Sequence, residues 1–83
     1  MKEEIRKRIR DRGWSVTHLA KVMGAKRPLV SHMIHWTRKA PIKWFKLMLY
    51  ELDYTKEEVD RMTIQYENFY IHKKIDQLKS KLK

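Results

Sequence analysis

Between Asp11 and Glu51 the chain carries no acid, yet Arg12, Lys21, Lys26, Arg27, Arg38, Lys39, Lys43 and Lys46 all fall there. Cations at that density suit a polyanionic partner, because a one-sign stretch otherwise only repels itself. The whole chain, 83 residues with 20 Lys and Arg against 10 Asp and Glu, has a formal net charge of +10. The charge is unevenly laid out: +9 over residues 1–52, −3 over 53–70 and +4 over 71–83. A merely solubilising surface would mix its signs, so the pattern points to nucleic acid.

Other chemistry is poorly served. His18, His32 and His35 invite a metal reading, but the chain has no cysteine and these three would be neutral ligands beside several cations. No metal and no cofactor are expected. There is no Gly-rich phosphate loop, no carboxylate pair with a cleft, and no Ser–His spacing that supports a nucleophile, so an enzyme is not expected. Apolar residues make up 42% of the chain, enough for a modest core but not for a deep pocket, and no small-molecule ligand is expected. The aromatics could stack on unpaired bases. Trp14, Trp44, Phe45 and Phe69 fall at helical spacing and read as core, whereas Trp36, in a basic loop, is the candidate for stacking.

The elements that must position these residues all read as helix. Two glycines, two prolines and no alternating β-branched runs leave little room for strands. The first helix covers about 2–12, with Ile5 and Ile9 one turn apart and Gly13 ending it. Ser15 is an N-cap for a second helix over 16–23, whose inner face is Val16, Leu19, Ala20 and Met23. Gly24 falls just past its end, where a left-handed residue is needed. Pro28 suits a first helical turn, which places the cap of the third helix at Arg27. Val30, Met33 and Ile34 face inward. Residues 36–41 form a loop, and a fourth helix runs about 42–52. Thr55 and Glu58 form a capping box that opens a helix free of Gly and Pro to about 80. Its Val59, Met62, Tyr66 and Phe69 pack on the bundle. Ile64, Asn68, Ile71, Ile75, Leu78 and Leu82 recur in four-three alternation, a heptad seam with Asn68 at an a-type position. The expected fold is all-α: a five-helix bundle with a domain at 1–62 and a helical extension at 63–83. No run approaches the ~18 apolar residues of a membrane span. The N-terminal "MKEEIRKRIRDRG" lacks the apolar core of a signal peptide, so a soluble cytoplasmic protein is expected.

Two short helices joined at a Gly turn, with a small residue where they cross, describe a helix-turn-helix. Ala20 permits close approach, Gly24 makes the turn and Val30 plugs the interface. Arg27, Leu29 and His32 then lie on the outward, leading side of the third helix.

Over residues 14–34, "WSVTHLAKVMGAKRPLVSHMI", and again at "LYELDYT", the sequence resembles the Cro/repressor-type (XRE-like) helix-turn-helix family; the resemblance covers roughly 3–62. Lys26 and Arg27 stand where members often carry Ser or Thr, and Trp36 where many have Gly. Ile9 and Ile34 occupy positions that in several relatives hold a buried Arg–Glu pair, a double swap that can be neutral or stabilising. The resemblance implies a regulator of a bacterial or phage kind, bound to double-stranded operator DNA as a homodimer. It implies base-edge contacts from Lys26, Arg27, Pro28, Leu29 and His32. It implies phosphate contacts from Ser15, Thr17, Ser31, His35, Trp36, Thr37, Arg38, Lys39 and Lys43. The seam at 64–82 is the candidate dimer contact, although Lys73, Lys74, Lys79 and Lys81 would repel across a parallel pair. Three other readings are a helix-turn-helix that docks another protein and touches DNA only non-specifically, an ordinary surface helix at 64–82, and a basic 71–83 segment lying on an acidic membrane surface.

Overall fold

The computed structural model describes residues 2–81 and is all-helical: α1 (Lys2–Asp11), α2 (Val16–Met23), α3 (Arg27–His35), α4 (Ile42–Glu51) and α5 (Lys56–Lys81). Leu82, the last expected member of the seam, lies outside the described residues. Among the described residues no helix is long and apolar enough to cross a membrane.

The boundaries follow from local chemistry. The Ser15 hydroxyl accepts the His18 N–H at 3.1 Å, so α2 starts with a satisfied amide. Gly24 is left-handed, with φ 69°, and hands the chain on through Ala25, whose N–H reaches the Ala20 carbonyl at 2.9 Å. Nothing lies within 4 Å of where a Gly24 Cβ would sit. Gly24→Ala is therefore expected to destabilise by about 1 kcal/mol through the left-handed backbone alone, read as a lower urea midpoint at unchanged slope. The α5 capping box forms in full: Thr55 N–H donates to Glu58 Oε1 at 3.0 Å and Glu58 N–H to Thr55 Oγ1 at 3.2 Å. Those bonds from Thr55 hold the Glu58 carboxyl below its usual range. The α3 cap falls one residue earlier than expected. Lys26 is extended at φ −77°, ψ 142°, and Arg27 is already helical. Pro28 sits second, where its missing N–H has no partner to lose.

α2 packs across α3 and α4, α1 lies on α3, and α4 lies along α5. Ile5, Leu19, Val30, Met33, Phe45, Leu49 and Val59 are wholly buried where these helices meet. Ile9 and Ile34 are both buried, as an apolar pair in that position requires.

Two expectations need correcting. The first is Trp36. It is 8% exposed, and its ring stands edge-on to Phe45, Tyr66 and Phe69 at 6.3, 5.2 and 5.2 Å between centroids. It can neither stack on a base nor reach a phosphate with its side chain. Trp36 ends α3 in the left-handed region at φ 54°, and its N–H bonds the His32 carbonyl. A tryptophan holds that conformation because burying so large a ring outweighs about 1 kcal/mol of backbone strain. The second is the boundary at 62/63. α5 runs through it unbroken, and Thr63 and Tyr66 are buried beyond it. The packed body therefore extends to about residue 70, after which every described residue is exposed. The molecule measures 46 Å in its longest dimension against 27 and 21 Å in the others.

Candidate nucleic-acid interface

The first turn of α3 is open to solvent. Lys26, Arg27 and Pro28 are exposed, and no side chain caps the helix start. Leu29 is half-buried and packs against the core, so it offers an edge rather than its whole side chain. Ser31 and His32 are half-buried one turn further on. His32 Nδ1 lies 2.7 Å from Thr37 Oγ1, which ties the middle of α3 to the loop that follows. His35 closes the helix, exposed.

The loop after α3 is held from behind. The Tyr66 hydroxyl accepts the Ala40 N–H at 2.9 Å and donates to the Arg38 carbonyl at 3.4 Å. Its ring stacks on Phe45 at 3.9 Å and 7°. Burial pushes that hydroxyl above the usual tyrosine range, so it stays protonated and able to donate. With the loop backbone fixed, Thr37, Arg38 and Lys39 are left exposed, and Lys43 is exposed in the first turn of α4.

Ser15 and His35 line one groove, between α1 and the helix-turn-helix, with Glu3, Arg6, Arg10 and Trp14, and the Glu3 carboxylate lies 4.0 Å from the Arg6 guanidinium. Thr17 is exposed in the first turn of α2. Ser15 and His35 were legible as surface residues; Arg6 and Arg10 were not singled out. Their signal was the i, i+4 spacing that puts two cations on one face of α1.

Not every cation faces outward. Arg8 Nη1 donates to the Leu52 carbonyl at 3.1 Å, and its guanidinium lies 3.8 Å from the centre of the Tyr54 ring. Arg12 Nη2 donates to the same carbonyl at 3.3 Å and pairs with Asp53. Asp53 is itself left-handed, at φ 62°. These two arginines fasten α1 to the α4–α5 corner. Arg12 therefore leaves the group of cations available to a polyanion. The histidines are dispersed in role: His18 stands edge-on to Trp14 at 4.8 Å, while His32 meets Thr37. Among the described residues no group of three or more His, Cys, Asp or Glu is placed to hold a metal ion.

Comparison of the chain with protein-family models, with curated proteins and with solved structures returns no match.

Proposed function

We propose that this protein is a sequence-specific, double-stranded DNA-binding regulator of the Cro/repressor-like kind, with α3 entering the major groove. One observation carries the reading. The first turn of α3 is exposed and carries Lys26 and Arg27, and the basic loop that follows the same helix, pinned through Ala40, leaves Thr37, Arg38 and Lys39 exposed. In that arrangement Arg27 is the base reader, offering its fork to guanine O6 and N7, and Lys26 stands beside it. His32, oriented by Thr37, has its second ring nitrogen for a base edge. Thr17, Arg38, Lys39 and Lys43 grip the strands and set register without reading sequence.

The test is selection of bound duplexes from a random pool, followed by titration of the best duplex and a scrambled one at two salt concentrations. A preference of at least about a thousandfold supports the reading. Weak, sequence-blind binding that vanishes at physiological salt would favour the helix-turn-helix as a protein-docking module instead. Arg27→Ala is expected to relax discrimination at one base position by about 1–3 kcal/mol, leaving the affinity for scrambled DNA nearly intact. Equal loss on both duplexes would remove Arg27 as a reader.

A further inference from the structure

α5 leaves one row of apolar side chains uncovered. Ile64, Ile71, Ile75 and Leu78 are between 41% and 60% exposed. At ~100° per residue they lie on the opposite side of the helix from Val59, Met62 and Tyr66, which face the core. Scattered exposed isoleucines are ordinary, but a row in four-three spacing is the seam of a two-helix coil. Asn68 completes the row. The same helix is polarised in charge: acids dominate its first half, with Glu57, Asp60 and Glu67, and lysines its second, with Lys74, Lys79 and Lys81.

We propose that the occupant of this row is a second copy of the chain, with the two α5 helices running antiparallel and residue 68 of each opposite residue 71 of the other. In that register Ile64 meets Ile75, and Asn68 meets Ile71 beside the twofold axis. On the flank, Glu67 of one copy faces Lys74 of the second copy, and Asp60 faces Lys81, each contact occurring twice by symmetry. The alternatives fail on charge. A parallel pair sets Lys74 against Lys79. An antiparallel pair slid by one heptad sets Lys74 against Lys74. The paired stretch, from residue 61 to residue 78, spans about 26 Å of helix. This pairing stands independently of the DNA reading, since it uses no residue of that interface.

The test is sedimentation equilibrium of the full chain across the micromolar range. The unsubstituted chain is expected to dimerise. Lys74→Glu is expected to raise the dimer dissociation constant by about tenfold, because two attractive contacts become repulsive. Glu67→Lys with Lys74→Glu together restore it to within a few-fold. A monomer at every concentration overturns the proposal, and so does a dimer indifferent to these changes. Tighter association of Lys74→Glu also overturns it, since in a parallel pair the introduced carboxylate would face Lys79. Orientation has its own readout, because the chain has no native cysteine. A mixture of Ile64→Cys and Ile75→Cys chains should crosslink to each other on oxidation. Crosslinking of Ile75→Cys chiefly to itself would contradict the antiparallel arrangement. Circular dichroism at each step confirms that the variants stay helical.

Discussion

Replacing Tyr66 by Ala is expected to lower the unfolding free energy by about 3–5 kcal/mol, the loss typical of truncating a large buried aromatic. A small domain holds only about 5–15 kcal/mol in total, so the loss is a third or more of the stability for most of that range. The size of the effect follows from where the ring sits. Tyr66 is wholly buried, stacks on Phe45, and stands edge-on to Trp36 and Tyr70. Tyr66→Phe separates packing from hydrogen bonding. It keeps the ring and leaves the Ala40 N–H without its acceptor, at about 1–3 kcal/mol for a buried unpaired group. Urea titration followed by far-ultraviolet circular dichroism measures both. A Tyr66→Phe protein as stable as the parent would remove the hydroxyl from the account.

The same hydroxyl gives a pH signature. Burial raises the pKa of the Tyr66 hydroxyl above its ordinary value, and those of Tyr54 and Tyr70 are raised first by the same cause. A group whose folded value is raised contributes stability that is fully present below the unfolded value, near 10, and is lost as pH rises through the folded one. Unfolding free energy should therefore carry no tyrosine dependence through neutrality and fall above about pH 10. Tyr66→Phe should flatten that fall in part, with Tyr54 and Tyr70 supplying the remainder.

Substituting Arg38→Gln together with Lys39→Gln is expected to weaken DNA binding on the order of 60-fold at 0.1 M salt, equally for specific and scrambled duplexes. The estimate comes from counterion release: each neutralised phosphate contributes about 0.9 to the slope of log affinity against log salt, and two are lost. The slope itself should fall by about 1.8. Both side chains are exposed, and the loop that carries them is anchored through the Arg38 carbonyl and the Ala40 amide rather than through the side chains. Stability should accordingly be unchanged. A selective loss on the specific duplex would mean that one of them reads a base. An unchanged slope would mean that neither meets a phosphate.

The contrast between Gly24 and Trp36 marks what can be read from the chain directly. Both end a helix in the left-handed region. Gly24 announces it, because glycine is the residue that adopts that conformation at little cost. Trp36 does not, because its conformation is enforced by Tyr66 and Phe69, far along the chain in α5. Its cationic neighbours suggested exposure, and no local pattern could reveal partners so distant. Ser15, Thr55 and Glu58 were legible for the opposite reason: a cap is satisfied within three residues. Charge was legible in sign but not in direction. Nothing in the spacing of Arg8 and Arg12 distinguishes an arginine bound to the Leu52 carbonyl from one turned to solvent. The packed body was legible in part: the spacing of Tyr66 and Phe69 sets both on the bundle, past a boundary drawn at 62/63, whereas buried Thr63 gives no such sign.

α5 carries two things that are usually kept apart. Near its middle, Tyr66 fastens the backbone that displays Arg38 and Lys39; further along, the same uninterrupted helix stands clear of the bundle. No glycine or proline interrupts the helix between the two stretches. The mast that projects into solvent is therefore rooted, through Tyr66, in the same packing that sets the loop.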